Sequence, residues 1–332
     1  MSVKVLIAGG AGYIGSHTAS LLAERGYEPV IYDNMSTGHA WAVRGDLIKG
    51  DIGDRRLLSA VLDDTRPVAI MHFAGKILVG ESMERPELYY ANNVAGSIVL
   101  LELALERGIP VIFSSSAAVY GTPEKVPIAE DSPLRPESVY GETKLVVERA
   151  LEWCARLRGL RYVSLRYFNA AGASPSGRLG ELHVPETHLI PLCLHAVMGL
   201  REKLVVFGDD YPTPDGTCIR DYIHVDDLAE AHILALEHLL AGRESRVYNL
   251  GSEKGYSNLE VIKAVGKVVG REVPWEMGQR RPGDPPVLLA SSERIRSELG
   301  WKPRYGLEEM IGHAWNFLRA HEALAKKLYS GK

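Results

Sequence analysis

A doubly wound α/β fold, with a parallel sheet in the first half and a smaller C-terminal α/β lobe, is predicted by three observations. Short apolar runs alternate with amphipathic stretches through the first half. A glycine-rich turn, Gly9 to Gly15, joins the first apolar run to the first amphipathic stretch. After Phe168 the alternation gives way to long polar loops. Strands alternating with helical segments are the mark of a parallel sheet with crossover helices. At 332 residues the chain also exceeds what one core ordinarily sustains, which favours a large unit plus a lobe.

Taken in order, Val3–Ala8, Pro29–Tyr32, Ala69–Phe73, Val111–Ser115 and Tyr162–Tyr167 are expected strands, apolar nearly throughout because both faces are covered. Ile14–Arg25, Asp54–Asp63, Glu87–Arg107 and Val139–Arg158 are expected helices between them. The loop Thr122–Pro136 carries four prolines and leads into the last of these, which places Tyr140 near a helix start at the carboxyl edge of the sheet. Beyond Phe168, residues 169–186, 207–218 and 277–286 are long irregular stretches, expected to be binding loops of a second lobe. Asp226–Leu240 is an expected helix and Val247–Leu250 a late strand that return to the first unit. The expected division is therefore 1–168 with roughly 221–251 for the large unit, and 169–220 with 252–332 for the lobe.

Composition excludes several classes. Hydrophobic residues at 46% and charged residues at 24% are ordinary for a globular protein, and a net charge of −4 lacks the basic surface that nucleic acid requires. Cys154, Cys193 and Cys218 form no CxxC pair and are odd in number, so neither a disulfide framework nor a zinc site is expected. The first residues enter a strand at once and no apolar run approaches a membrane span, so a cytoplasmic protein without membrane contact is expected.

Gly9, Gly12 and Gly15 follow a strand and open a helix, with GxxGxxG spacing. That arrangement supplies a tight turn, close approach of backbone to phosphate, and helix N–H groups aimed at an anion. The next strand ends in Asp33, eighteen residues after Gly15, where a carboxylate holds a ribose 2′-hydroxyl and repels a 2′-phosphate. The run Asp33-Asn34-Met35 contains no arginine, so NAD is expected over NADP in a Rossmann-like unit. Asp51-Ile52 is placed to flank an adenine, although Asp51 equally suits a helix cap.

Tyr140 and Lys144 are four apart and share a helix face. A phenol is a weak base at its reference pKa of about 10, and a neighbouring ammonium together with an oxidised nicotinamide favours the phenolate. None of the other fourteen tyrosines has a lysine four residues on. Ser114-Ser115-Ser116 ends a strand beside this pair, with Ser116 the first candidate to hold a reacting hydroxyl and Ser115 the second.

These residues resemble the extended short-chain dehydrogenase/reductase family. The resemblance runs over nearly the whole chain and includes GGAGYIGSH, HFAG, YYANNVAGS, FSSSAAVYG, YGETK and LRYFNAAGA. The segment Phe207–Ala229 is more specific, and is similar to the branch that inverts nucleotide sugars at C4. The resemblance implies reversible C4 inversion of a UDP-hexose through a 4-ketose on bound NAD. Tyr140 would be the acid/base, Lys144 its tuning partner and Ser116 the group that positions the 4-hydroxyl. It also implies cofactor contacts at Tyr13, Ile14, Asn34, Phe73, Ala74, Gly75, Lys76, Asn92, Ser114 and Tyr167, in addition to those above. For the nucleotide sugar it implies Phe168, Asn169, His188, Arg220, Arg281 and Asp284, the arginines because their fork matches phosphate oxygens. For Arg220 a salt bridge to Asp221 or Asp226 is the alternative, and for His188 a surface role. A homodimer through Glu87–Arg107 and Val139–Arg158 is implied as well.

The chain departs from the family pattern in places. Lys76 stands one place early with Ile77 where a lysine is common, Ala118 replaces a threonine, and Leu288 occupies a position that limits sugar size. Epimerases of UDP-N-acetylglucosamine, UDP-glucuronate or UDP-pentoses keep the same catalytic set and stay open as alternatives. Dehydration needs carboxylates after Ser116, where this chain has Ala117-Ala118. A redox-sensing binding protein has no use for Ser116, Tyr140 and Lys144 together. No metal is expected, because His183, His188 and His195 show no carboxylate or cysteine partner at ligand spacing.

Overall fold

The computed structural model describes residues 3–280 and 284–329. The strands are β1 (Val3–Ala8), β2 (Tyr27–Asp33), β3 (Asp46–Lys49), β4 (Ala69–His72), β5 (Val111–Ser116), β6 (Tyr162–Tyr167), β7 (Asn169–Ala171), β8 (Leu204–Phe207), β9 (Ile219–His224), β10 (Arg246–Leu250), β11 (Gly255–Ser257), β12 (Trp275–Gly278) and β13 (Val287–Leu288). The helices are α1 (Tyr13–Glu24), α2 (Arg55–Thr65), α3 (Val79–Glu84), α4 (Pro86–Tyr89), α5 (Gly96–Arg107), α6 (Val139–Arg158), α7 (Leu189–Val197), α8 (Val225–Leu240), α9 (Asn258–Val269), α10 (Glu293–Leu299), α11 (Leu307–Ala320) and α12 (Glu322–Tyr329).

Seven parallel strands form the main sheet in the order β10-β6-β5-β4-β1-β2-β3. The sequence order reverses between β1 and β4, and ligands of such sheets bind at that switch point, beyond the strands' carboxyl ends. The core strands are apolar on both faces because helices cover both. Ala19 and Leu22 of α1 and Leu228, Ala231, Leu236 and Leu239 of α8 bury one face. Leu58 and Leu62 of α2, Leu100 and Ala104 of α5, and Val147 and Leu151 of α6 bury the other.

β3 is a short edge strand with half its residues charged, Asp46-Leu-Ile-Lys49, so its apolar signal is faint. Glu87–Arg107, expected as one helix, is α4, a π-helical segment Tyr90–Ala95 and α5 in continuous succession. Within the 22-residue run Pro86–Arg107 an 18-residue stretch has mean hydropathy 1.3, which corrects the expectation that no apolar run approaches membrane length. Its hydropathy comes largely from Leu100, Leu101, Leu103 and Ala104, all buried in the core behind the sheet. In α6 the expected bounds hold: the Ser138 hydroxyl caps Gly141 N–H, and Gly159 ends the helix with φ 72°.

The second group of elements has its own sheet, in which β9 pairs with β7, β11 and β13, and a two-stranded pair of β8 with β12. A separate core of Ile190, Leu194, Val261, Val265, Met310, Ile311 and Phe317 lies among α7, α9 and α11. β9 belongs to this smaller sheet, and the chain rejoins the large sheet through α8, which packs on one face, and β10, which pairs with β6. β12 also takes up the start of the loop expected at 277–286.

Candidate active site

The glycine turn leaves β1 and enters α1. Gly9 adopts φ +81°, and a Cβ there would lie 2.5 Å from Ala74 N, so only glycine lets the turn pass the end of β4. At Gly15 a side chain would collide with the Gly9 carbonyl. Gly12 is the N-cap of α1 and has no side-chain cap, which leaves the first N–H groups of a twelve-residue helix available to an anion. Tyr13 begins that helix with its hydroxyl donating to Gly172 O at 2.6 Å, and Ile14 packs on the core.

Asp33 ends β2 beside this turn. Its Oδ2 accepts Ala11 N–H at 3.0 Å and its Oδ1 accepts Met35 N–H at 2.7 Å, so the buried carboxylate is fixed with lone pairs to spare. Asn34 Nδ2 donates to Asp51 Oδ2 at 2.8 Å. The alternative that Asp51 caps a helix is set aside, because Asp54 is the N-cap of α2 and accepts Leu57 N–H. Ile52 is buried against Gly96.

From the end of β4, Phe73 and Ala74 donate backbone N–H to Ala8 O at 2.8 and 2.9 Å, and the Phe73 ring packs 4.6 Å from the His232 ring. Gly75 lies against Asn93 and the Lys144 ammonium. The π-helical segment brings Asn93 into this site, with Asn92 beside it. Asn93 Oδ1 accepts Lys76 N–H at 2.8 Å, while its Nδ2 donates to Lys76 O at 3.0 Å and Thr143 Oγ1 at 3.2 Å. Asn92 only donates to Asn93. π segments recur where a helix re-aims a side chain at a site, and nothing in the sequence pattern marks this one.

The three serines at the end of β5 separate by strand alternation. The Ser114 side chain bonds the Tyr167 hydroxyl, and its carbonyl accepts the Lys144 ammonium at 2.7 Å. Ser115 points to the opposite side and donates to Glu148 Oε1 at 2.5 Å, which removes it as a candidate for the reacting hydroxyl. Ser116 bonds the side chain of Tyr140 and accepts Ala118 N–H at 3.2 Å. Tyr140 N–H in turn donates to Ser82 Oγ at 3.1 Å.

Burial pushes the Tyr140 phenol above its ordinary value, and the Ser116 hydrogen bond pulls it back. Burial also lowers Lys144 to about 8, with Glu148 acting the other way. The Lys144 nitrogen lies 5.8 Å from the Tyr140 ring centroid. Beneath the site, Arg166 and Glu148 form a buried ion pair at 2.5 Å that the sequence did not announce.

On the lobe side, Arg220 donates to Asp284 Oδ1 at 2.5 Å and Pro285 O at 2.8 Å. Neither suggested alternative partner is used: Asp221 accepts Ser252 N–H and Ala290 N–H, and Asp226 meets His17. Asn169 opens β7 opposite Tyr222, and Phe168 and Leu288 pack together on Ala117, Val119 and Ile128 next to Ser116. Arg281 lies outside the described residues. His188 faces Glu181, with Nδ1 and Oε1 2.5 Å apart. The expectation that the histidines lack carboxylate partners is therefore corrected: the chain reverses around Pro185 and brings Glu181 and Glu186 beside His183 and His188. His195 is elsewhere, on α7, its ring 4.3 Å from that of Tyr329.

A parallel sheet with a glycine turn and an acidic strand end at the switch point, and a Ser/Tyr/Lys cluster one strand over, defines a nucleotide-dependent enzyme of the dehydrogenase type. The chain belongs to the NAD dependent epimerase/dehydratase family, whose profile matches residues 5–251. It is 50% identical over 322 residues to a UDP-glucose 4-epimerase of Halalkalibacterium halodurans, covering 96% of each chain. The solved UDP-glucose 4-epimerase from Brucella ovis in complex with NAD superposes with TM-score 0.93 at 50% identity, over 95% of this chain and 98% of that one. That from Stenotrophomonas maltophila, with bound NAD and formylated UDP-arabinopyranose, gives TM-score 0.94 at 40% identity, over 97% and 100%.

Proposed function

We propose that this chain interconverts UDP-galactose and UDP-glucose by reversible inversion at C4, with NAD held throughout. The observation that carries the reading is the meeting of Ser116, Tyr140 and Lys144 at the carboxyl edge of β5, beside Gly75 and the glycine turn, in a chain 50% identical to a UDP-glucose 4-epimerase. The uncapped α1 N-terminus and the fixed Asp33 carboxylate fit a dinucleotide. Gly9, Gly12, Tyr13, Ile14 and Gly15 would hold the pyrophosphate, Asp33 and Asn34 the adenosine ribose, and Asp51 and Ile52 the adenine. Phe73 to Lys76, Asn92, Ser114, Tyr167 and Lys144 would lie along the nicotinamide half, with Asn93 fixing the Lys76 backbone. Bound NAD⁺ supplies a hydride acceptor at the sugar's C4 that later gives the hydride back.

The chain's own residues do the rest. Ser116 holds the 4-hydroxyl, and Tyr140 Oη takes its proton and returns it once the 4-ketose has presented its other face. Because burial holds the phenol up, Lys144 and the cofactor's positive charge must together bring it into working range. Arg220 and Asp284, with Arg281, Phe168, Asn169 and His188, anchor the nucleotide while the sugar turns. Leu288, packed like Phe168 against the cluster of Ala117, Val119 and Ile128, favours plain hexoses over N-acetylated ones. Ala117 and Ala118 offer no carboxylate for dehydration.

Large and small lobes divide at about 168, with the return segment near 225–251, and the cleft between them takes the substrate. The enzyme works in the cytoplasm as a homodimer whose partner covers α5 and α6, where Trp153 and Leu157 are 55% and 71% exposed. The test is to give purified protein UDP-galactose without added cofactor and separate the nucleotide sugars at equilibrium. UDP-glucose without net NADH is the expected result. No conversion even with NAD⁺ supplied would overturn the hexose assignment and turn the assay to UDP-N-acetylglucosamine, UDP-glucuronate and UDP-pentoses.

A further inference from the structure

Four ligand-type side chains meet where the chain turns around Pro185. One atom from each of Glu181, His183, Glu186 and His188 lies within 4.8 Å of all the others. Glu181 Oε1 is 2.9 Å from His183 Nδ1 and 2.5 Å from His188 Nδ1. Glu186 Oε2 is 4.0 Å from His183 Nδ1, and Glu186 Oε1 is 3.5 Å from His188 Nδ1. A tetrahedral cation with bonds of about 2.0–2.1 Å has ligand-to-ligand edges of about 3.3 Å, and these separations bracket that value.

The polar accounting points the same way. The side chains of Glu181 and Glu186 are only 4% and 2% exposed. Glu186 Oε1 accepts Thr187 N–H and His188 N–H at 2.7 and 2.8 Å, but Oε2 is buried without a hydrogen-bond partner among the described residues. His183 Nδ1 is likewise unpartnered, since its approach to Glu181 is close without being aligned for a hydrogen bond. Among the described residues, the ion pairs of both carboxylates are made with these two imidazoles alone.

We propose that Glu181, His183, Glu186 and His188 bind a divalent transition cation, zinc matching best the four-ligand set of two nitrogens and two oxygens. All four positions are taken by protein, so the site is structural. It ties the segment that enters α7 at a point flanked by Tyr13, whose ring is 6.1 Å from that of His183, and by Tyr329, whose hydroxyl donates to His183 O at 2.7 Å. The cation would therefore brace the substrate lobe against the start of α1 and the last helix. It assigns His188 to the cation in place of the nucleotide contact given above, and draws on nothing else in the epimerase reading.

The test is equilibrium dialysis of the untagged full chain against Zn²⁺, with metal counted by mass spectrometry. One zinc per chain that survives gel filtration is expected, with a melting temperature that rises on loading and falls back with a chelator. His183→Gln and Glu186→Gln should each lose that equivalent. Zinc binding equal to that of the His183→Gln/His188→Gln double variant would overturn the proposal. Should the variants fail to fold, X-ray absorption of zinc-loaded wild type decides: two imidazoles in a four-coordinate nitrogen/oxygen shell support it, and a sulfur ligand or a six-water shell overturns it.

Discussion

Tyr140 shows how far a single residue's role can be read. Its helix position and its partner Lys144 are visible in the sequence as a four-residue spacing, but its hydrogen bond to Ser116 depends on strand alternation at Ser114-Ser115-Ser116. That alternation sorts the three hydroxyls to Tyr167, Glu148 and Tyr140, a choice composition alone cannot make. Replacing Tyr140 with Phe removes the proton carrier and leaves the packing, so NAD should stay bound while kcat falls by about 10²–10⁴-fold. Near-normal turnover in that variant would contradict the acid/base role. Asp33→Ala should act on the other half of the site. It frees Ala11 N–H and Met35 N–H as well as the ribose contact, so NAD occupancy after gel filtration should fall. Unchanged occupancy would show that the glycine turn alone holds the dinucleotide.

At the scale of elements, legibility followed the apolar pattern. β1, β6 and α6 have the bounds that periodicity and caps predict, because their signals are purely local. β3 is half charged, and the π-helical segment Tyr90–Ala95 shares its hydropathy with the helices around it, so neither stands out. The inward turn of Asn93 beside Asn92 therefore leaves no trace in the apolar pattern. The Arg166–Glu148 pair is equally invisible in sequence, since its partners lie on β6 and α6. Arg166→Met leaves a buried carboxylate bonded, among the described residues, only by Ser115, and should cost about 3–5 kcal/mol in urea unfolding. The double variant Arg166→Met/Glu148→Leu should recover part of that loss, and an additive result would show that the charges do not interact. The exposed face of α6 carries a separate expectation. If the proposed homodimer forms through α6, Leu157→Glu should shift sedimentation from dimer to monomer without unfolding the chain; an unchanged dimer would move the interface off α6, and a monomeric parent chain would overturn the dimer.

For the molecule as a whole, the number of imidazoles buried in neutral form sets the response to acid. Burial, with Lys144 adding to it, lowers His72 to about 3; burial likewise lowers His224 to about 3 and His232 to about 4. All three sit among the core side chains, and His72 and His232 flank the switch-point strands where the cofactor turn is built. Unfolding returns each to an ordinary value near 6.5, so between the two values the unfolded chain binds more protons and stability falls as pH drops. Asp221 works in the opposite sense: burial raises it to about 6, so the folded chain holds its proton as pH falls through that value. Between about pH 5 and 6 these three imidazoles, with His195 also lowered by burial, oppose Asp221 and the buried carboxyls Glu130 and Asp227 that burial raises, and the imidazoles prevail, so stability falls as pH drops. Urea titrations at pH 7, 6, 5.5 and 5 measure that slope directly. Replacing His232 with Phe should remove one proton from it, lowering the slope by about 1.4 kcal/mol per pH unit. A flat profile down to pH 5 would mean that these imidazoles reach water or a counter-charge in the native state, and that the neutral core around the switch point is wrongly drawn.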